Sequence, residues 1–91
     1  MPIVTAQYTL QTDVAQKIVA ADTQYQTVLV HNADNATSRI IYLGNFDVTL
    51  STGMHLDVGQ TITLPLDPGS ELWAVANHDD VLMTKLAIKQ D

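Results

Sequence analysis

The sequence predicts an all-β fold, either an antiparallel β-sandwich or a small jelly-roll-like barrel of seven to eight short strands. Short segments rich in Val, Ile, Thr and Tyr recur along the chain, and such residues suit a pleated, half-buried surface. Turn-forming residues separate these segments at intervals of roughly 8–12 residues, the spacing typical of sandwiches and barrels. No segment shows the apolar period of a long helix. A length of 91 residues corresponds to one domain, residues 1–91.

The first two elements differ in how clearly their type is indicated. Residues 1–10 are predicted to form an N-terminal arm or an edge strand, and Pro2 near the start is compatible with a sheet edge. Residues 14–21 allow two interpretations. Asp13 and Gln16 have the spacing of a helix capping box, whereas the shortness of the segment and its β-type neighbours favour a strand. We predict a strand here.

The next two segments are predicted to form a hairpin. Residues 25–32 alternate as a strand, which places Val28 and Val30 together on one face. A polar loop follows at residues 33–37. Residues 38–43 are again rich in large apolar side chains. We therefore expect them to return as the antiparallel partner of the preceding strand.

Residues 44–60 are predicted to form a long loop with a short strand or a single helical turn at residues 47–49. Gly53 and Gly59 mark two of its turns. Glycine is the usual residue where a turn requires a positive φ angle. We therefore predict positive φ at both glycines and a loss of stability when either is replaced.

The last third of the chain predicts three further strands, at residues 61–66, 71–77 and 81–89. In the last strand we assign to the core the side chains of Leu82, Leu86 and Ile88. Val81 and Met83 then lie on the opposite face. A strand that is apolar on both faces is expected to be covered on both, so we predict that Val81 and Met83 lie at a subunit interface.

Composition argues against two classes of partner. The chain has a net charge of −6 and only four basic residues, whereas nucleic-acid binding depends on phosphate neutralisation. No apolar run approaches the ~20 residues of a membrane span, and the N-terminus lacks the basic and apolar blocks of a secretory signal. We therefore expect a chain that is made in the cytoplasm and binds neither nucleic acid nor membrane. Cysteine is absent, so disulfides are excluded.

The sequence predicts no catalytic, cofactor-binding or metal site, and hence a protein that is not an enzyme. Its three histidines lie on different segments. The run His78-Asp79-Asp80 is better explained as a solvated turn, because adjacent residues seldom point to one centre. Asp47 and Asp57 lack the spacing of a calcium-binding loop. No serine lies in a nucleophile-elbow motif.

Trp73 is the only tryptophan, and two roles are open for it. The first is a buried core position. The second is a contact residue, since tryptophan anchors interfaces and stacks on sugar rings. If Trp73 is a contact residue, we expect the exposed part of the long loop to contribute Asn45, Phe46 and Asp47 beside it.

Four segments, taken in order, carry a resemblance to a known pattern: TVLVHN, IIYLGNFDVT, STGMHLDVGQTITL and ELWAVA. They resemble small virion proteins of tailed bacteriophages. In those proteins a strand ending in Asn precedes an IYIGG-like run, a DVT, a glycine turn, a Pro-Gly and an LYAIA-like strand. The corresponding positions here are Asn32, residues 41–45, 47–49, Gly53, 58–59 and 72–76. The chain has Asn45, Val58 and Trp73 where Gly, Pro and Tyr are usual.

The resemblance implies a structural protein of the virion. The expected function is capsid decoration, in which a homo-oligomer, with a trimer favoured, binds the major capsid protein on the capsid surface. The N-terminal residues would contribute by strand pairing, and the candidate contacts there are Pro2, Ile3, Val4 and Tyr8. The alternative is a small tail or fibre component, including a module that binds host-surface glycans.

Overall fold

The computed structural model describes residues 3–89, which form eight strands and, within that range, no helix. The strands are β1 (Ile3–Leu10), β2 (Gln16–Val19), β3 (Gln26–Asn32), β4 (Ile41–Gly44), β5 (Met54–Leu56), β6 (Thr61–Leu66), β7 (Leu72–Ala76) and β8 (Val81–Lys89). The predicted all-β class is confirmed. Residues 14–21 contain a strand, as predicted. Asp13 does not cap a helix but occupies a tight turn with φ 58°.

The strands form two four-stranded sheets that pack face to face as a small β-sandwich. The first sheet has the order β1-β8-β3-β6 and the second has the order β2-β7-β4-β5. Neighbouring strands within each sheet are antiparallel. Because successive side chains of a strand point to opposite faces, each sheet supplies one apolar layer to the core between them. That core includes Val28, Val30, Ile41, Leu43, Ala74 and Ala76.

The predicted hairpin between β3 and the segment at residues 38–43 is wrong. β3 pairs with β6 and β8, whereas β4 pairs with β5 and β7 in the other sheet. The chain therefore crosses from one sheet to the other between the two strands. Both strands have one apolar face, and these faces meet across the core instead of lying edge to edge. Alternation alone does not distinguish these two arrangements.

The predicted orientation of β8 is also wrong. Val81 and Met83 have no exposed surface, and Leu82 on the opposite face is 36% exposed. Val81 and Met83 lie in the core of this chain and are not available for a subunit interface. The prediction failed because Lys85, a charged residue, lies on the same inward face of β8 as Val81 and Met83. Its ammonium group donates to the Ile18 carbonyl and lies 5.5 Å from the centre of the Tyr8 ring, so the charge leaves the core at the β1–β2 side.

A buried asparagine at the end of β3 connects four parts of the fold. The side-chain amide of Asn32 donates to the carbonyls of Arg39 at 3.1 Å and Leu56 at 2.9 Å, and its oxygen accepts from the Asp34 N–H at 3.1 Å. Its backbone pairs with the turn before β6, at residues 59–60. Asn32 is fully buried. The hydrogen bonds to Leu56 and Asp34 are buried, so water cannot readily replace them.

The crossover after β3 is held to β8 by a second buried group, Asp34. Its carboxylate accepts hydrogen bonds from the backbone N–H groups of Asn35, Ala36 and Leu82. Burial raises the pKa of Asp34, but these backbone donors and the Arg39 guanidinium outweigh it, so the pKa lies below its ordinary value. The carboxylate therefore stays charged and fixes the crossover against the start of β8.

We predict that Asn32→Ala lowers the free energy of unfolding by about 2–4 kcal/mol, because it leaves the buried Leu56 carbonyl, the partly buried Arg39 carbonyl and the buried Asp34 N–H without this partner. Asn35→Ala is the matched control. Asn35 is exposed in the same crossover, so its replacement should change stability by less than ~0.5 kcal/mol. Urea unfolding of both variants measures the difference. Equal stability of the two would contradict the role given to Asn32.

Candidate functional site

The outer face of the first sheet carries no charged residue, and we call it the uncharged face. It consists of the odd-numbered positions of β1, β3 and β6 and the even-numbered positions of β8, which the strand register places side by side. None of these positions is Asp, Glu, Lys or Arg. The chain as a whole has a net charge of −6. A neutral face of this extent on an acidic protein is a candidate contact surface.

The centre of the uncharged face is apolar and its surroundings are hydroxyl-bearing. Leu29 and Leu86 are direct cross-strand neighbours at the centre, and Thr5 and Thr63 continue the same row on either side. Both leucines are only half-buried. A depression of about 520 Å³ lies over this region. Apolar side chains at the centre with a polar rim are typical of protein–protein contact surfaces.

The predicted N-terminal contact residues lie at and beside this face. Ile3 points outward and is 63% exposed, and Val4 is 42% exposed although it points toward the core side of the sheet. Tyr8 is half-buried, and its hydroxyl donates to the Ile18 carbonyl at 3.0 Å. Pro2 lies outside the described residues. Ile3 and Val4 are therefore placed for contacts, whereas Tyr8 also joins the two sheets.

The predicted long loop at residues 44–60 is interrupted by β5, and residues 47–49 form neither a strand nor a helix. Its first part, residues 45–53, folds back onto the outer face of the second sheet. Asn45, Phe46 and Asp47 are exposed, and Phe46 is 64% exposed. Val48 is buried at 7% exposure, and its N–H donates to the Asn45 carbonyl at 3.0 Å. Residues 45–47 thus face solvent, and the buried Val48 anchors the loop to the sheet.

Two glycines allow this close packing. A Cβ atom at Gly44 would lie 2.8 Å from Val48 Cγ2, and one at Gly53 would lie 2.7 Å from Tyr42 Cβ. Gly53 does not have positive φ, so that prediction is wrong and close approach is the actual constraint. Gly59 does have positive φ, at 80°, and a Cβ there would meet nothing within 4 Å. The prediction of positive φ at Gly59 is confirmed.

Trp73 lies on the outer face of the second sheet and is half-buried, so the core interpretation is wrong. Its indole N–H donates to Glu71 at 3.3 Å. The Lys17 ammonium lies 5.7 Å from the ring centre and 3.2 Å from the Glu71 carboxylate. The hydrogen bond from Trp73, followed by that from Lys17, lowers the pKa of Glu71. Trp73 is also the cross-strand neighbour of Gly44, so it stands beside the start of the loop.

The polar turn before β8 is occupied by structural hydrogen bonds. Asp79 accepts from the Thr12 N–H at 3.1 Å, and Asp80 accepts from the Gln11 side chain at 3.0 Å. The Thr12 N–H lowers the pKa of Asp79. Within residues 3–89 no group of three His, Cys, Asp or Glu side chains is arranged to hold a metal ion. The same range contains no helix long and apolar enough to cross a membrane.

No protein-family model, curated protein or solved structure matches this chain. The candidate sites are therefore two surfaces defined by their own geometry: the uncharged face, and the loop with Trp73. The loop and Trp73 were predicted from the sequence as contact residues. The uncharged face was not predicted, although alternate threonines in β6 and apolar residues on both faces of β8 are visible in the sequence.

We predict that Gly44→Ala destabilises the fold by about 1–3 kcal/mol, because the new methyl group overlaps Val48. In a Val48→Ala background the same change should cost less, since the Cγ2 atom that it meets is gone. Gly59→Ala is the control: it should cost about 1 kcal/mol through backbone strain, independently of Val48. Additive effects of Gly44→Ala and Val48→Ala in thermal unfolding would show that the loop does not pack on Gly44.

Proposed function

We propose that this chain is a non-enzymatic structural protein of a bacteriophage virion, and that it decorates the capsid exterior as a homo-oligomer. The observation that carries the contact role is the uncharged face. Half-buried Leu29 and Leu86 at its centre would be removed from water on docking, which is favourable by roughly 25 cal/mol per Å² of apolar surface. The virion assignment comes from the resemblance of residues 27–88 to small proteins of tailed phages.

The distribution of charge supports docking on protein and not on nucleic acid. Every acidic residue between positions 3 and 89 lies in a connection between strands, and the strands themselves contain only Lys17, Lys85 and Lys89 as charged residues. None of these acidic residues is a position of the uncharged face, and Asp47 lies in the loop over the second sheet. A partner that covers the uncharged face therefore does not bury any of these acidic side chains in its centre, and buried unpaired charge is the main electrostatic cost of such contacts.

The proposed mechanism is the addition of buried area between neighbouring capsid subunits. Each bound copy removes surface from water, and repetition over the shell adds these contributions so that expansion of the shell is opposed. An oligomer suits this role, because the symmetry of a decoration must match that of the site it covers. Three copies would match a local threefold site, the arrangement that the resemblance favours.

We predict that Leu86→Lys weakens binding to capsids at least tenfold, because it places an unpaired charge at the centre of the uncharged face. The chain would be mixed with capsids that lack it, from the phage that encodes it, and sedimented. Met54→Lys is the matched control, since Met54 is 60% exposed on the other sheet. Co-sedimentation unaffected by Leu86→Lys would contradict docking through this face. No binding of the unaltered chain would contradict capsid decoration.

A second candidate function is a tail or fibre module that binds host-surface glycans. The observation in its favour is the pair of aromatic side chains at the second surface, the exposed Phe46 and the half-buried Trp73 with its Lys17–Glu71 partners. Aromatic rings beside polar groups are suited to stacking on sugars.

For this alternative we predict that Trp73→Ala abolishes binding to a glycan array and that virions carrying the variant adsorb at least tenfold more slowly. Tyr25→Ala, which removes another exposed aromatic ring (59% exposed), is the control. An array on which the unaltered chain gives no signal would remove the alternative.

A further inference from the structure

Three of the four sheet edges carry features that prevent pairing with another chain. β2 has four residues, with Lys17 and a register irregularity between Lys17 and Val19. β5 has only three residues. β6 contains Pro65, which cannot donate a backbone hydrogen bond. Short strands, charges, bulges and prolines are the known means by which proteins protect sheet edges.

The fourth edge, β1, has none of these features. It has eight residues, contains no charge and no proline within Ile3–Leu10, and pairs with β8 in an unbroken register. Within residues 3–89, β8 is its only ladder partner. It is also the edge at which Val4 is 42% exposed on the core side of the sheet. An exposed edge that is long, regular and uncharged is a template for a further strand.

We propose that β1 pairs antiparallel with β1 of a second copy of this chain, so that the two first sheets join into one eight-stranded sheet. This inference rests on the oligomer part of the proposed function and does not require a capsid. A second copy is the occupant that the strand itself favours, because the joined edges contain no like charges although each chain has a net charge of −6.

Twofold symmetry limits the possible registers between the two β1 strands. A twofold axis through two antiparallel strands is perpendicular to the sheet, so one residue faces its own copy and all other pairs keep the same face. If Ala6 lies on the twofold axis, almost every residue of β1 is paired with a residue of the partner's β1. This register also places Tyr8 of the partner subunit opposite Val4, so that the exposed Val4 side chain gains an aromatic neighbour. The small Ala6 side chain at the axis leaves space for the two Tyr8 rings, one from each copy.

The same symmetry predicts an even number of copies, which differs from the threefold arrangement that the resemblance implies. A trimer built through this sheet would need β1 of one copy to pair with the other edge, β6, of the next. Pro65 removes one donor from that edge. A single strand edge also buries less than the roughly 1,200 Å² of a standard interface, so we expect association in the micromolar to millimolar range.

The first experiment compares two exposed threonines on opposite edges of the same sheet. Sedimentation equilibrium of the purified chain from ~5 µM to ~1 mM should show a monomer–dimer equilibrium. Thr5→Lys should weaken the dimer at least tenfold, because lysine protects edge strands. Thr63→Lys on β6 should not change it. A monomer throughout, a trimer, or an equal effect of the two variants would overturn the proposal.

The second experiment fixes the register. The chain has no cysteine, so Ala6→Cys can cross-link only to its own copy. Directly opposite residues lie ~4.5–5.5 Å apart between Cα atoms, within the range of disulfides. We expect Ala6→Cys to form disulfide-linked dimers at least tenfold faster than Thr63→Cys. Equal rates of disulfide formation by the two variants would contradict the register that places Ala6 at the axis. The outcome of the cross-linking experiment does not affect the capsid-binding test, because that test uses variants of Leu86 and Met54.

Discussion

The fold depends most on the hydrogen bonds of one buried amide, that of Asn32. A sandwich needs its chain to cross between sheets, and each crossing exposes backbone groups that no strand partner satisfies. Asn32 satisfies one carbonyl in the crossover, that of Arg39, and one in β5, that of Leu56. Asp34 then fixes the crossover to the start of β8 through the Leu82 N–H. Two polar side chains thus hold together segments that are far apart in sequence.

The crossover also determines which strand faces of the first sheet remain exposed to solvent. Because β3 lies between β6 and β8 in the first sheet, its outward residues, with Leu29 at their centre, are flanked by the threonines of β6 and the leucines of β8. Had β3 and β4 formed a hairpin, this combination would not exist. The uncharged face is therefore a consequence of topology, although each of its residues is local to one strand.

Much of the fold was predictable from period-two alternation, and the failures have specific causes. Strands were predicted at the positions of β6 and β7. β8 was inverted because Lys85 shares the inward face with Val81 and Met83, and its charge is tolerated only because the Ile18 carbonyl and the Tyr8 ring lie beside it. Such tertiary partners cannot be derived from alternation. For the same reason Gly53 was predicted to be a turn residue with positive φ. The actual constraint is that Val48 and Tyr42 leave no room for a side chain at this position.

The separation of charge from strand surface connects the fold to assembly. Acidic residues occupy the connections, where they accept backbone hydrogen bonds, as Asp34 and Asp79 do. The lysines within strands are each engaged: Lys17 with Glu71, Lys85 with Ile18 and Lys89 with Asp22. The negative charge that keeps such chains apart in solution therefore lies in the connections and off the uncharged face. Contacts through the uncharged face or the β1 edge bring neutral surfaces together and leave the acidic connections in water, where their mutual repulsion is screened beyond ~8 Å at physiological salt.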